Sequence, residues 1–112
     1  MNNSPISWSD FDKIEMRVGT IEHAEFFEKA HKPAYQLVIN FGDLGMKKSS
    51  AQLTKNYQAF ELIGKQIVAV VNFPPKQIAN FMSECLVLGA VDGDFVTLLS
   101  PTSPIKNGLR IT

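Results

Sequence analysis

Two short segments of the chain carry the residues best suited to binding chemistry. KKSSAQ (47–52) holds two lysines, two serines and a glutamine, and NFPPKQIANFMSE (72–84) holds a lysine, two phenylalanines and adjacent prolines. Lysine ammonium groups attract phosphates, short polar side chains exchange hydrogen bonds, and aromatic rings offer stacking or apolar surfaces. These residue types in these segments predict a binding surface.

The prolines Pro74 and Pro75 follow an unbroken apolar run. Proline fixes φ and lacks the amide donor, so a strand must end there and the loop after it is stiff. A stiff loop loses little entropy on binding, which suits one wall of a binding site. A plain strand terminator explains the same pattern. The pattern by itself leaves both interpretations open.

The charges of the chain balance, with 11 basic and 11 acidic residues, but they are distributed unevenly. Residues 10–28 hold six carboxylates against two cations, whereas residues 47–76 hold five lysines against Glu61 alone. A locally basic segment in a neutral chain predicts a cationic face for phosphates. Lysines dispersed over the solvated surface are the alternative.

No motif for catalysis is present in the sequence. It contains no nucleophile elbow, no phosphate-binding loop, no HExxH and no paired cysteine spacing. His23 and His31 are expected to be exposed or loop residues rather than metal ligands, and Cys85 a small buried hydrophobe. We therefore expect a protein that is not an enzyme and that uses no metal or other cofactor.

Apolar patterning predicts a succession of short β-strands and little helix. Strands are expected at 17–27, 34–41, 47–53, 66–73, 83–91 and 95–100. Thr54 is expected to cap a helix over 55–63, and Ser7 or Ser9 to cap a short helix or turn before the first strand. A single helix between the third and fourth strands matches an all-β, five-stranded OB-fold barrel with N- and C-terminal extensions. Gly19 would let the first strand bend, and another small β-barrel is the structural alternative.

Length and composition predict one domain over residues 1–112, because 45% hydrophobic and 20% charged residues are ordinary values for a folded chain. No apolar run is long enough to span a membrane, and the N-terminus lacks the pattern of a secretory signal. We expect a cytoplasmic protein without membrane insertion. The strands at 66–73 and 83–91 are apolar on both faces, which predicts a two-fold homodimer.

The chain resembles the tRNA-binding OB-fold family that is appended to methionyl- and phenylalanyl-tRNA synthetases, and within it the stand-alone CsaA-type proteins. The resemblance is carried, in family order, by MRVGTIEHAEFF, KPAYQLVINFG, KKSSAQLTKNY, LIGKQIVAVVNFPPKQIANFMSECLVLG and PIKNGLRI. It implies a homodimer formed partly through extensions 1–15 and 101–112. It also implies an ATP-independent chaperone for unfolded or pre-export polypeptides or, as the alternative, a protein that recognises folded tRNA-like RNA.

The resemblance and the side-chain chemistry together predict two sets of site residues. RNA is expected to contact Lys47, Lys48, Ser49, Ser50, Gln52, Asn72, Lys76 and Ser83. Polypeptide is expected to contact Phe73, Pro74, Phe81 and Met82. Ala79 stands where synthetase-type members usually carry an arginine, and this departure removes a bidentate phosphate donor from the predicted RNA face.

Overall fold

The structure is a computed structural model and describes residues 4–112. Two short α-helices are α1 (Trp8–Asp12) and α2 (Ala59–Leu62), and a 3-10 turn spans Gly42–Leu44. The strands are β1 (Met16–Phe26), β2 (Tyr35–Asn40), β3 (Met46–Ala51), β4 (Gln66–Val70), β5 (Lys76–Ile78), β6 (Phe81–Ser83), β7 (Leu86–Val87), β8 (Gly89–Asp92), β9 (Phe95–Leu98) and β10 (Arg110–Ile111).

One antiparallel sheet in the order β3-β2-β1-β4-β7 forms the body of the protein, with β10 beside the start of β1. The pairs β5–β6 and β8–β9 are separate hairpins. The two ends of the sheet approach each other where the Glu84 amide donates to the Lys48 carbonyl at 2.7 Å. The sheet is therefore a nearly closed barrel with a helix between the third and fourth strands, which confirms the predicted OB-type fold.

The core of the barrel lies between inward-facing residues of the central strands. In β2, Tyr35, Leu37 and Ile39 are buried and their neighbours are only partly buried, as the alternation of a strand requires. Opposite them lie Ile21 of β1 and Ile67 of β4, which are also inaccessible to solvent. The apolar alternation of the sequence thus specifies which face of each strand points inward.

Gly19 allows close packing in the core, and the bend expected there from the sequence stays a prediction. A Cβ at this position would lie 2.6 Å from Ile39 Cγ2 and 2.7 Å from the Phe41 ring, so a larger residue would displace the core. The irregularity in β1 lies between Ile21 and His23, where the register with β2 shifts by one residue. This bulge at Glu22 is a source of curvature in β1, because a bulge bends and twists its strand.

Helix α2 is shorter than the helix predicted over 55–63, and Thr54 does not cap it. Gln58 precedes the helix, and its backbone amide donates to the Glu61 carboxylate at 2.8 Å. Tyr57 is held outside the helix because its hydroxyl accepts from the Leu98 amide and its carbonyl accepts from the Tyr35 hydroxyl. These tertiary bonds override the helical spacing. The Ser7 cap of α1 is confirmed, since its hydroxyl accepts from the Asp10 amide at 3.1 Å, whereas Ser9 lies inside the helix.

Further strand boundaries differ from the sequence prediction. The strand expected over 66–73 ends at Val70, and the strand expected over 83–91 is divided into the end of β6, β7 and β8. The break falls before Gly89, where a Cβ would meet Val96 at 2.5 Å as the chain turns to pair with β9. The β5–β6 hairpin was not predicted at all.

Within residues 4–112, no helix has the length and apolarity needed to cross a membrane.

Candidate functional site

A cleft of about 370 Å³ opens where three separate parts of the chain converge. They are the loop between β1 and β2, the end of β3 and the β5–β6 hairpin. The lining residues are Ala30, His31, Lys32, Ala34, Ser50, Gln52, Lys76, Gln77 and Ile78. We call this site the cationic cleft, because these nine residues include two lysines and no carboxylate.

Lys32 and Lys76 carry the charge of the cationic cleft. Within residues 4–112, neither side chain forms a hydrogen bond or an ion pair. A cation without an internal partner remains available to an anion, and the adjacent Gln52 and Ser50 add polar groups. The cleft can therefore bind a phosphate or a carboxylate and offer hydrogen bonds beside it.

The β5–β6 hairpin is fixed to the barrel by a small apolar cluster separate from the main core. Its buried members are Phe27, Ala34 and Phe81, and the two aromatic rings meet edge to face with centroids 5.4 Å apart. We call the side chains of Phe27, Ala34 and Phe81 the hairpin cluster. In addition, the Ser50 backbone amide donates to the Ser83 hydroxyl at 3.1 Å and joins the hairpin to β3. The hairpin cluster holds Lys76 at a defined position in the wall of the cationic cleft.

Lys48 lies beside the cationic cleft, whereas Lys47 does not. Lys48 shares a face of β3 with Ser50, and its Nζ lies 5.3 Å from the centroid of the Phe81 ring. This cation–π geometry positions the ammonium group next to the hairpin. Lys47 projects from the opposite face of β3, which also carries buried Ser49. Lys48 therefore lies next to the hairpin that carries Lys76, whereas Lys47 projects from the other face of β3.

Three residues predicted to contact RNA have their polar atoms engaged inside the protein. Ser49 is 1% exposed, and its hydroxyl donates to the Cys85 carbonyl at 3.0 Å. The Ser83 hydroxyl accepts from β3, as described above. In the side-chain amide of Asn72, Oδ1 accepts from the Glu15 backbone amide and Nδ2 donates to the Lys13 carbonyl at 2.7 Å. These polar groups hold the fold together, and none of the three residues lines the cationic cleft.

One of the four residues predicted to contact polypeptide is buried, and the other three are exposed. Phe81 is 8% exposed because it belongs to the hairpin cluster, which the sequence did not reveal. Phe73 is 54% exposed, and Met82 and Pro74 are also exposed. Pro74 and Pro75 lie between the end of β4 and Lys76, so the diproline both follows a strand end and leads into a wall of the cleft. The two interpretations of the diproline are therefore compatible.

Sequence reasoning missed His31 and Lys32 as cleft residues. The available signal was their place in the loop between the first two strands, since OB barrels bind ligands on a face bordered by such loops. Ala79 lies at the tip of the β5–β6 hairpin with φ 51°, a left-handed conformation that costs about 1 kcal/mol in a residue with a Cβ. Its carbonyl accepts from the Gln77 side chain at 3.1 Å.

Cys85 is buried beneath the contact between β3 and the segment that follows β6. Burial raises the pKa of its thiol to about 11, with smaller effects from Lys47, Ser49 and Glu84. A thiol with this pKa is protonated at neutral pH, and only the thiolate is a nucleophile. The position of Cys85 therefore fits packing rather than chemistry.

Comparison with known sequences matches most of the chain to one family model and to part of several longer enzymes. The family model described as "Putative tRNA binding domain" matches residues 16–110. The chain is 37% identical over 106 residues to a methionine–tRNA ligase of Nanoarchaeum equitans and 32% identical over 97 residues to that of Helicobacter pylori strain J99. These alignments cover 95% and 87% of this chain, but only 13% and 15% of the ligases.

Solved structures of similar length match the whole fold. The chaperone CsaA from Bacillus anthracis superposes with a TM-score of 0.93 at 52% identity, covering 97% of this chain and 100% of that one. The CsaA chaperone protein from Picrophilus torridus gives 0.90 at 56% identity, with 96% and 100% coverage. A MetRS-related protein from Pyrococcus horikoshii gives 0.86 at 24% identity, with 97% and 99% coverage, and supports the fold alone.

Proposed function

The chain belongs to the tRNA-binding domain family, and from this premise we propose that it acts as a CsaA-type chaperone. It would hold unfolded or pre-export polypeptides as a homodimer in the cytoplasm, without ATP and without catalysis. The supporting observation is the structural match to two chaperones, each covered over its full length, at 52% and 56% sequence identity. The ligases, in contrast, contain this domain as a small part of a much longer chain.

Exposed apolar side chains support the holding of polypeptides. Phe73 is 54% exposed and Met82 is 40% exposed, so each offers a ring or a thioether to solvent. Methionine and aromatic side chains adapt to partners of varied shape, which suits a protein that binds many clients. The absence of a phosphate-binding loop from the sequence fits binding without nucleotide hydrolysis.

The homodimer is supported by an apolar surface at which the two terminal segments meet. Ile6, Trp8 and Phe11 line a shallow depression together with Thr112, and Trp8 is 86% exposed. The segments are fixed to each other because the Arg110 guanidinium donates to the Asp12 carbonyl at 2.8 Å. An exposed indole in an apolar surface is typical of a protein–protein interface.

We expect a solution mass of twice the chain mass of 12.4 kDa by light scattering after size exclusion. Trp8→Ser should shift the protein toward the monomer, because it removes the largest apolar group from the terminal surface. Phe60→Ser is the matched control, since Phe60 is 72% exposed on α2 and lies outside this surface. A wild-type protein of single-chain mass at tens of micromolar would contradict the dimer.

We expect the wild-type protein to suppress the aggregation of a chemically unfolded client at a near-equimolar ratio without ATP. The suppression should persist at high salt, because apolar contacts are not screened by ions. A Phe73→Ser/Met82→Ser variant should suppress aggregation less, with Phe60→Ser as the control. Light scattering of the client measures the effect. A wild-type protein that leaves aggregation unchanged refutes the proposed function.

RNA binding is the second candidate function, and the cationic cleft favours it. Lys32, Lys76 and adjacent Lys48 concentrate positive charge beside the polar side chains of Ser50 and Gln52. OB barrels present such faces, bordered by loops, to nucleic acid. We propose that phosphates of a folded RNA bind the lysines of the cleft.

A further inference from the structure

An apolar groove of about 350 Å³ lies between the end of β3 and the strands that follow β6. Its lining residues are Ser50, Ala51, Gln52, Leu53, Leu86, Val87, Leu88, Gly89, Val91 and Val96. Leu53 is buried, whereas Leu86 is 48% and Val91 72% exposed. The groove therefore has an apolar floor and two aliphatic side chains exposed to solvent at its borders.

The groove exists because hydrogen bonds join β3 to the segment after β6 only at Lys48 and Ser49, and not along the rest of β3. The contact at Lys48 and Glu84 joins β3 to the segment after β6, and the Ser49 hydroxyl bonds to Cys85 next to it. Beyond Ser50, β7 pairs with β4, and the β8–β9 hairpin turns away as a separate sheet. The opening between these elements exposes apolar surface that the fold itself does not cover.

The apolar groove is continuous with the cationic cleft. Ser50 and Gln52 line both of them, so the two surfaces adjoin across these residues. Lys76 lies on the side away from the groove, whereas Lys32 also lines a further depression with Val91, Val96 and Asp94 and so lies near the border of the groove. An elongated ligand can therefore occupy both without leaving the protein surface. A ligand that combines apolar groups with negative charge suits both surfaces, with Lys76 as the lysine farther from the Asp94 carboxylate.

We propose that the groove and the cleft together bind an extended polypeptide segment in which aliphatic residues adjoin acidic ones. This inference rests on the proposed chaperone function and assigns it a site and a class of client segment. Aliphatic side chains enter the apolar groove, and a neighbouring Asp or Glu carboxylate binds Lys32 or Lys76.

The chemistry of the groove favours polypeptide over RNA. Single-stranded nucleic acid binds largely by stacking bases on aromatic rings, and no aromatic residue lines the groove. Aliphatic walls instead match Leu, Ile and Val side chains, whose burial drives association. In an extended segment, side chains two residues apart point the same way, so an apolar residue and a nearby acidic residue can reach adjoining surfaces.

The test uses two labelled peptides of about ten residues that share a central leucine pair. Glutamates flank the pair in one peptide and lysines in the other, and fluorescence anisotropy measures their affinity. We expect the glutamate peptide to bind the wild-type protein about tenfold more tightly. A Lys32→Ala/Lys76→Ala variant should abolish this preference, whereas Lys106→Ala, an exposed lysine outside the cleft, should preserve it.

A Leu86→Ser/Val91→Ser variant should bind both peptides about tenfold more weakly, because it removes aliphatic surface from the groove. Val91→Ser alone, at a mostly exposed position, should weaken binding in the same direction. Phe60→Ser should leave both affinities unchanged. Circular dichroism melting verifies that each variant remains folded.

Three outcomes overturn the inference. They are equal wild-type affinity for the two peptides, groove variants that bind like Phe60→Ser, and groove variants that lose affinity for a tRNA transcript instead of for peptide. Each is distinguishable from failure of the chaperone proposal. A wild-type protein that suppresses aggregation, with groove variants that suppress it equally well, refutes this site and leaves the proposed function standing.

Discussion

A Lys32→Ala/Lys76→Ala variant is expected to bind a tRNA transcript about a hundredfold more weakly than the wild-type protein, about tenfold for each lysine. Both ammonium groups line the cationic cleft and have no hydrogen bond or ion pair within residues 4–112. A bound phosphate would therefore be their first partner. Filter binding or anisotropy at several salt concentrations measures the change.

The dependence on salt identifies the cause of this loss. Each phosphate contact contributes about 0.9 to the slope of the logarithm of affinity against the logarithm of salt concentration. Removal of two contacts should therefore reduce the slope by about two. A loss of affinity with an unchanged slope would mean that the variant had altered the shape of the cleft rather than its phosphate contacts.

Lys47→Ala is the matched control for this experiment. Lys47 carries the same charge and adjoins Lys48 in the chain, but it projects from the other face of β3, opposite Ile39. We expect its replacement to change RNA affinity less than threefold. If Lys47→Ala is as damaging as the double variant, RNA binds elsewhere, and the cationic cleft is not the RNA site.

The barrel strands could be predicted because their pattern depends on burial. The alternation in β2, where Tyr35, Leu37 and Ile39 are buried, is the signal that a half-buried strand leaves in its sequence. The β5–β6 hairpin leaves a weaker signal, since each strand has three residues and pairs only with the other. Its position depends on Phe81 meeting Phe27, a contact between residues far apart in the chain.

The chemistry of the candidate site could be predicted from the sequence, but only some of its residues could. Lys48, Ser50, Gln52 and Lys76 do lie in or beside one cleft, as their residue types suggested. Lys32 was missed because it joins the site from a loop, and loops leave no periodic pattern from which their position can be deduced. The burial of Ser49 follows from its place two residues before Ala51 on the inward face of β3, which becomes apparent once the register with β2 is known.

Phe81→Ala is expected to lower the free energy of unfolding by about 3 kcal/mol. The ring is buried against Phe27 and lies beneath the Lys48 ammonium group, so its removal leaves a cavity and ends a cation–π contact. The value lies at the low end for a buried phenylalanine because the hairpin cluster is small. Urea unfolding followed by circular dichroism measures the change.

The consequences for binding follow from the position of the hairpin. Without the Phe81 ring, the β5–β6 hairpin loses its main apolar anchor, so Lys76 is held less firmly and RNA affinity should fall. Phe73→Ala is the matched control. That ring is 54% exposed, so we expect a loss of less than about 1 kcal/mol in stability together with weaker suppression of client aggregation.

The two phenylalanines of the segment NFPPKQIANFMSE should thus separate stability from polypeptide binding, although both were predicted from the sequence to contact polypeptide. Under conditions in which Phe81→Ala remains folded, it should still suppress aggregation, because its ring does not face solvent. The opposite result, a Phe81→Ala variant of unchanged stability that no longer holds clients, would show that the ring leaves the hairpin cluster to bind polypeptide. In that case the hairpin, rather than the groove at Leu86 and Val91, would be the surface that clients contact.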